Sequence, residues 1–325
     1  MTHQLPDRNA LEAAAQIIYR AMPPTPQYAW PLLREALGTE VWVKHENHTP
    51  TGAFKVRGGL VYMHELARRA PQVKGVISAT RGNHGQSVGF AVRRQGLQAT
   101  IVVPHGNSKE KNAAMRALGV NLVEHGKEFQ ESREHAARLA DEQQLHMIPS
   151  FHHDLVSGVA SYWMEFLSAQ PEIDTIFVPI GQGSGICAAI AARNALGLGT
   201  RIIGVVSAHA LAYKLSFDQK RKIESPVTAV IADGMACRVP DEESLAIIMQ
   251  YADDVVAVTD DEVAAAMRLY YIATHNVAEG AGAAPLAAAM QMKDRLRGRR
   301  IGVPLCGGNV DHDQFARILS ADSFS

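Results

Sequence analysis

Four glycine-bearing loops hold the residues whose types and spacing could do chemistry. Gly181-Gln182-Gly183-Ser184-Gly185 follows the apolar run 175–180 and precedes a helical pattern beginning near Ile186. Successive backbone N–H groups at a helix N-terminus make an anion site, and phosphate is the expected ligand. A dinucleotide would also need an acidic residue about 20 positions on, at the end of the next strand. That strand ends in Val206-Ser207, and no Gly-Lys-Ser/Thr follows the loop, so dinucleotide and Walker readings both fail. What remains is a phosphate monoester without a recognised ribose, or a turn that uses glycine only for packing. Lys55 lies in Thr51-Gly52-Ala53-Phe54-Lys55-Val56-Arg57-Gly58-Gly59. Among small and aromatic residues its amine is either partly desolvated, with a lowered pKa that frees it as nucleophile and base, or a solvated helix-start lysine. Thr80-Arg81-Gly82-Asn83-His84-Gly85-Gln86 offers backbone donors and an amide to a carboxylate or ring hydroxyl, or forms a turn with a helix cap. Cys306-Gly307-Gly308-Asn309-Val310-Asp311 alone is a turn with a buried thiol.

The elements that must position these loops alternate from Val41 onward, short β-branched runs with longer helical patterns, which predicts a parallel sheet covered by helices. Strands are expected at 41–43, 75–79, 100–104 and 121–125, and again at 175–180, 201–206, 254–258 and 300–305. Most are continuously apolar, as strands covered on both faces should be. Helical spacing marks 109–118, 128–143, 262–276 and 282–297, and Thr259 with Glu262 reads as a capping box. All four loops then fall at carboxyl ends of strands, where open α/β sheets place ligands. The stretch 149–158 interrupts the rhythm and divides a small unit, 45–150, from a large unit made of 1–44 and 151–325. The Pro-rich segment 22–31 is expected to be an ordered extended connection.

The 325 residues are 47% hydrophobic and 20% charged, enough for a sizeable core. A net charge of −1 gives no basic excess for nucleic acid or anionic lipid. Cys187, Cys237 and Cys306 are widely spaced and fit neither a disulfide framework nor a structural zinc site, which points to a reducing compartment. With no leader pattern at the N-terminus and no apolar stretch of ~18 residues, the expectation is a cytoplasmic protein.

These motifs, in this order from Thr25-Pro26 to Asp311, resemble the pyridoxal-phosphate enzymes of the threonine and serine dehydratase (ammonia-lyase) family, with the tryptophan synthase β-like fold (fold type II). The family's Ser-Phe-Lys-x-Arg-Gly is matched by residues 53–58, and its Ser-x-Gly-Asn-His-x-Gln by 80–86. Its phosphate loop is matched by 181–185, and Ala232-Asp233-Gly234, Glu279-Gly280-Ala281-Gly282 and Cys306-Gly307-Gly308-Asn309 also correspond. The resemblance implies two open parallel-sheet domains with helices on both faces and pyridoxal 5′-phosphate between them. Lys55 would join the cofactor covalently and act as acid and base at Cα, Phe54 would pack beside the ring, and Asn83 would donate to its 3′-oxygen. Gly181, Gln182, Gly183, Ser184 and Gly185 would bind the phosphate. Cys306 would meet the ring nitrogen, and Gly234 and Glu279 would complete the surroundings. Thr80, Arg81, Gly82, Asn83 and His84 would hold the amino-acid substrate. The implied reaction is β-elimination from L-threonine, L-serine or a related β-hydroxy amino acid to a 2-oxo acid and ammonia, in a homodimer or other homo-oligomer.

Several departures refine this. Arg81 occupies the place of the serine that serves racemases of the family, which disfavours racemisation, and it either holds a second substrate carboxylate or sits in an ion pair. Val206 stands where the racemases have a metal-binding glutamate, so no metal is expected, although Asp233 remains and Ser207 is adjacent. Gln182 replaces the commoner glycine, which the loop tolerates if φ there stays negative. Ala53 removes a hydroxyl from the lysine loop. Ser161-Tyr162-Trp163-Met164, with Phe151-His152-His153, either lines a pocket for an aryl or acidic side chain or packs in the core, and His152-His153-Asp154 is expected at the surface. No regulatory module is recognised up to residue 325, so feedback by isoleucine through one is not expected.

Overall fold

The computed structural model describes residues 5–321. Its strands sort into two sheets. The larger has six strands in the order β1-β2-β10-β7-β8-β9: β1 Gln27–Ala29, β2 Glu40–His45, β7 Thr175–Pro179, β8 Arg201–Ser207, β9 Asp254–Val258 and β10 Arg300–Leu305. Only β1 runs antiparallel to its neighbour; the other pairings are parallel, with Ile301 opposite Val41 and Thr175 opposite Arg201. The smaller sheet is all parallel, in the order β5-β4-β3-β6, from β3 Gly75–Ala79, β4 Gln98–Val103, β5 Asn121–Glu124 and β6 His146–Met147.

Period-two alternation along a buried strand feeds two cores at once. In β7, Ile176 and Val178 face a cluster built with α7 (His153–Ala169) and α8 (Ser184–Ala195), while Phe177 faces the opposite cluster with α11 (Asp260–Thr274) and α12 (Gly280–Gln291). In the small sheet, Val76, Ile101 and Val103 pack on α3 (Lys55–Arg69), α4 (Asn83–Arg93) and α5 (Lys109–Ala117). Ile77 and Val102 pack on α6 (Phe129–Gln143). Helix α1 (Arg8–Tyr19) bridges the two units, with Leu11 in the large core and Ala14 and Ile18 in the small one.

The expected strands form with shifts of a residue or two, and three segments differ more. The extended 22–31 segment contains β1, and Pro31 starts the short helix α2 (Pro31–Leu37) at the position where a missing N–H costs nothing. The two-residue strand β6 has too little sequence for any period to show. The 149–158 stretch is not wholly a connection, because α7 begins at His153. The Thr259/Glu262 capping box is present in both directions, starting α11 two residues before the expected 262.

Candidate active site

Lys55 is the first residue of α3, and close helix contacts decide where it lies. A Cβ on Gly158 of α7 would come within 2.4 Å of the Arg57 carbonyl, and one on Gly59 within 2.2 Å of the Ser87 hydroxyl of α4. Helix α3 is therefore wedged between helices of both units. Its leading loop is pinned to the loop after β10, since Phe54 N–H donates to the Cys306 carbonyl (3.0 Å) and Gly308 N–H to that of Gly52 (2.9 Å). The Lys55 ammonium has no carboxylate partner among the described residues; Nζ donates to Ser184 Oγ at 3.2 Å and lies 4.9 Å from the centre of the Phe54 ring. Burial pushes its pKa down to about 8, opposed by Cys306 and Glu279. Of the two sequence readings, the desolvated amine is the one that forms.

Two residues on, Arg57 is fully buried and anchors this helix start. Its Nε and Nη2 donate to the two oxygens of Glu46 (2.7 and 2.9 Å), and Nη1 donates to Glu165 (2.7 Å) and Ser161 (2.9 Å). Lys44 Nζ adds a 2.6 Å bond to Glu165. Two cations thus meet two anions in a dry site, and despite burial Arg57 and Lys44 hold Glu165 below the ordinary carboxylate range.

The facing wall is the 181–185 loop. Gly183 carries φ +97° and caps α8, and a Cβ there would lie 2.5 Å from that of Ser244, so only glycine turns this corner. Gln182 does not take a positive φ, which meets the condition set for its replacement of glycine. Trp163 Nε1 donates to the Gly185 carbonyl (3.1 Å) and Tyr213 Oη to that of Gln182 (3.2 Å), fixing the loop from outside. The first-turn amides Ser184, Gly185 and Ile186 have no carbonyl within their own helix and can hold an anion.

The 80–84 loop closes the third side. Thr80 Oγ1 accepts the Gly82 N–H (2.9 Å), so that donor is already engaged; the amides left open by the start of α4 are those of Asn83, His84 and Gly85. Asn83 Nδ2 donates to Glu279 (2.5 Å), and its Oδ1 accepts from Asn309 (2.9 Å). Burial pushes the His84 pKa down to about 3, with Lys55 adding to it, so its ring is neutral. His84 Nε2 and Arg81 Nε are buried and have no hydrogen-bond partner. Arg81 forms no ion pair among the described residues, which removes the ion-pair alternative.

Sequence reasoning missed the charged member of this cleft that bonds its carboxylates. Lys111 of α5 reaches Asp233 (3.0 and 3.1 Å) and Glu279 (3.1 Å), and its stem lies against Gly82, where a Cβ would meet its Cδ at 2.4 Å. Against its burial, the two carboxylates hold it protonated above the ordinary lysine range. In the sequence it sits in Lys109-Glu110-Lys111, which reads as a solvated charged face and gives no signal. Cys306 is buried, donates to the Ala281 carbonyl (3.5 Å), and is kept a neutral thiol by burial.

The cleft between these walls brings together Phe54, Lys55, residues 80–84, the glycine loop, Gly234, Glu279 and Cys306. It does not include the 161–164 string. Tyr162 and Trp163 are buried in the core, Ser161 bonds Arg57, and His152 caps α7. His153 pairs at the surface with Glu243 (2.7 Å). An anion-ready loop, a desolvated amine that has no counter-ion among the described residues, and unpartnered polar atoms between them fit a phosphorylated aldehyde.

The chain belongs to the family described as pyridoxal-phosphate dependent enzyme, whose model matches residues 18–307. Its cofactor is pyridoxal 5′-phosphate and its fold is that of the fold type II enzymes. It is 36% identical to an L-threonine ammonia-lyase of Geobacter sulfurreducens, over 85% of this chain and 69% of that protein. It is 32% identical to the biosynthetic L-threonine dehydratase of Haemophilus influenzae over 93% of this chain, and spans 60% of that protein's length. A Saccharomyces cerevisiae L-threo-3-hydroxyaspartate ammonia-lyase is 30% identical over 91% of both chains. The solved structure of the processed threonine deaminase isoform 2 of Solanum lycopersicum superposes with a TM-score of 0.87 at 28% identity, covering 98% of this chain and 95% of that one.

Proposed function

We propose that this enzyme is an ammonia-lyase that converts a β-hydroxy amino acid, L-threonine or L-serine in the first instance, to a 2-oxo acid and ammonia. The observation that carries the reading is the desolvated Lys55 amine, which has no counter-ion among the described residues and donates one hydrogen bond to Ser184 of the glycine loop. Bound here, the cofactor supplies an electron sink that acidifies the Cα proton of an amino acid joined to it. The first-turn amides after Gly183 would hold the phosphate, and Phe54, Gly234 and Glu279 would lie about the ring. Asn83, its amide fixed by Asn309 and Glu279, would donate to the 3′-oxygen. Cys306, a neutral thiol, would serve the ring nitrogen without a negative charge to keep it protonated, which suits elimination better than a long-lived carbanion. The open amides of Asn83, His84 and Gly85, with the Thr80 hydroxyl, orient the α-carboxylate. Lys55 Nζ takes the Cα proton; a pKa of about 8 leaves a usable neutral fraction near pH 7.5.

We read residues 45–150 as the small domain and 1–44 with 151–325 as the large one, supported by the sorting of strands into two sheets. Three buried free cysteines support a reducing, cytoplasmic setting, and no helix among the described residues is long and apolar enough to cross a membrane. Exposed Tyr28 and Leu32 on the sheet edge and the helix after it, with Ile272 on the neighbouring α11, support a homodimer face, which sedimentation equilibrium tests. The test of function is a panel of β-hydroxy amino acids scored for 2-oxo acid release, with Lys55→Ala as control. Release that depends on Lys55 supports the reading; no release from any member, or wild-type rates in Lys55→Ala, ends it.

A further inference from the structure

Three cations line the cleft, and only one is left without an assignment. Lys55 meets the cofactor, and Lys111 is neutralised by Asp233 and Glu279. Arg81 lines the same cleft and has neither hydrogen bond nor ion pair among the described residues. Arg81 is half-buried, and its Nε is buried without an acceptor; an unmade buried donor is costly, so a ligand that supplies the acceptor is favoured here. The cofactor phosphate is served by the glycine loop, which comes from the other sheet. The substrate α-carboxylate has the amides of residues 83–85, on the helix that Arg81 precedes. The acceptor still missing is a second anion on the substrate side chain.

We propose that Arg81 is the specificity-determining residue of the cleft and binds the side-chain carboxylate of a β-hydroxy dicarboxylic amino acid of the 3-hydroxyaspartate type. This rests on the lyase reading for its chemistry, but the binding step can be measured without turnover. L-Aspartate has no β-hydroxyl to eliminate, so its dissociation constant, read from the visible spectrum of the holoenzyme and set against that of L-alanine, isolates the side-chain carboxylate. Loss of a charge-assisted bond should weaken L-aspartate relative to L-alanine by about 10²-fold in Arg81→Ala and Arg81→Gln, with partial recovery in Arg81→Lys, which keeps the charge without the fork. The ratio of kcat/KM for 3-hydroxyaspartate over L-serine should fall by a similar factor. Equal weakening of both ligands would place Arg81 on the α-carboxylate, and loss of cofactor from both variants would place it on the phosphate; either overturns the proposal. Unchanged aspartate binding also overturns it. If instead no β-hydroxy amino acid releases a 2-oxo acid while aspartate binding still depends on Arg81, the lyase reading fails and the anion subsite stands.

Discussion

Replacing Lys111 with Met tests whether the cleft's acidic pair depends on one ammonium. At an effective dielectric of ~20, each contact near 3 Å is worth about 5 kcal/mol before desolvation is subtracted. The net loss is smaller, because Glu279 can take up a proton instead of staying charged and unpaired. Burial already pushes its pKa up in the native chain, with Lys111 pulling it back. Protonating a carboxyl of ordinary pKa ~4.3 costs about 4 kcal/mol at pH 7.5 and about 1 kcal/mol at pH 5, which sets a ceiling on its share. Asp233 is partly exposed and water screens it, so it adds less. In the variant, Glu279 binds more protons folded than unfolded, so stability falls as pH rises from its unfolded to its folded pKa. Urea unfolding of the cofactor-free protein should therefore show a loss of about 2–4 kcal/mol at pH 7.5 that shrinks to about 1 kcal/mol or less at pH 5. Adding Glu279→Gln should recover at least half of the loss and flatten its pH dependence. A loss under about 0.5 kcal/mol at pH 7.5, or one identical at both pH values, would refute the reasoning.

Arg57→Met leaves Glu46 without its cation and Glu165 with Lys44 alone in a largely buried site, and should cost about 3–5 kcal/mol by urea unfolding; Arg57→Lys should recover only part, because one ammonium cannot match both carboxylates, and full recovery would contradict the forked geometry. The rate at which cofactor-free enzyme recombines with pyridoxal 5′-phosphate should climb with pH through about 8, following the neutral fraction of Lys55. A rate that goes on rising about tenfold per pH unit beyond pH 9, with no levelling above 8, would show that the amine is not desolvated.

Local pattern alone was sufficient for the strands at 75–79, 254–258 and 300–305, because a mostly apolar run bounded by turn residues has few other solutions in an α/β chain whose sheets are covered on both faces. The ordered motifs singled out Lys55, the 181–185 loop and the 80–86 loop, which meet in one cleft, since each motif depends on residues adjacent in sequence. Tertiary structure decided the rest. Arg57 finds Glu165 across 108 positions and Lys111 finds Asp233 across 122, so no local window of sequence contains both partners of either pair. The same distance problem hid the fate of the 161–164 string, whose helical spacing fits a pocket wall and a core face equally well until α7 packs on α8. It also left Arg81 undecided between an ion pair and a ligand. Charge pairing and the choice of buried face are energies between segments, and they exist only once the chain has brought those segments together.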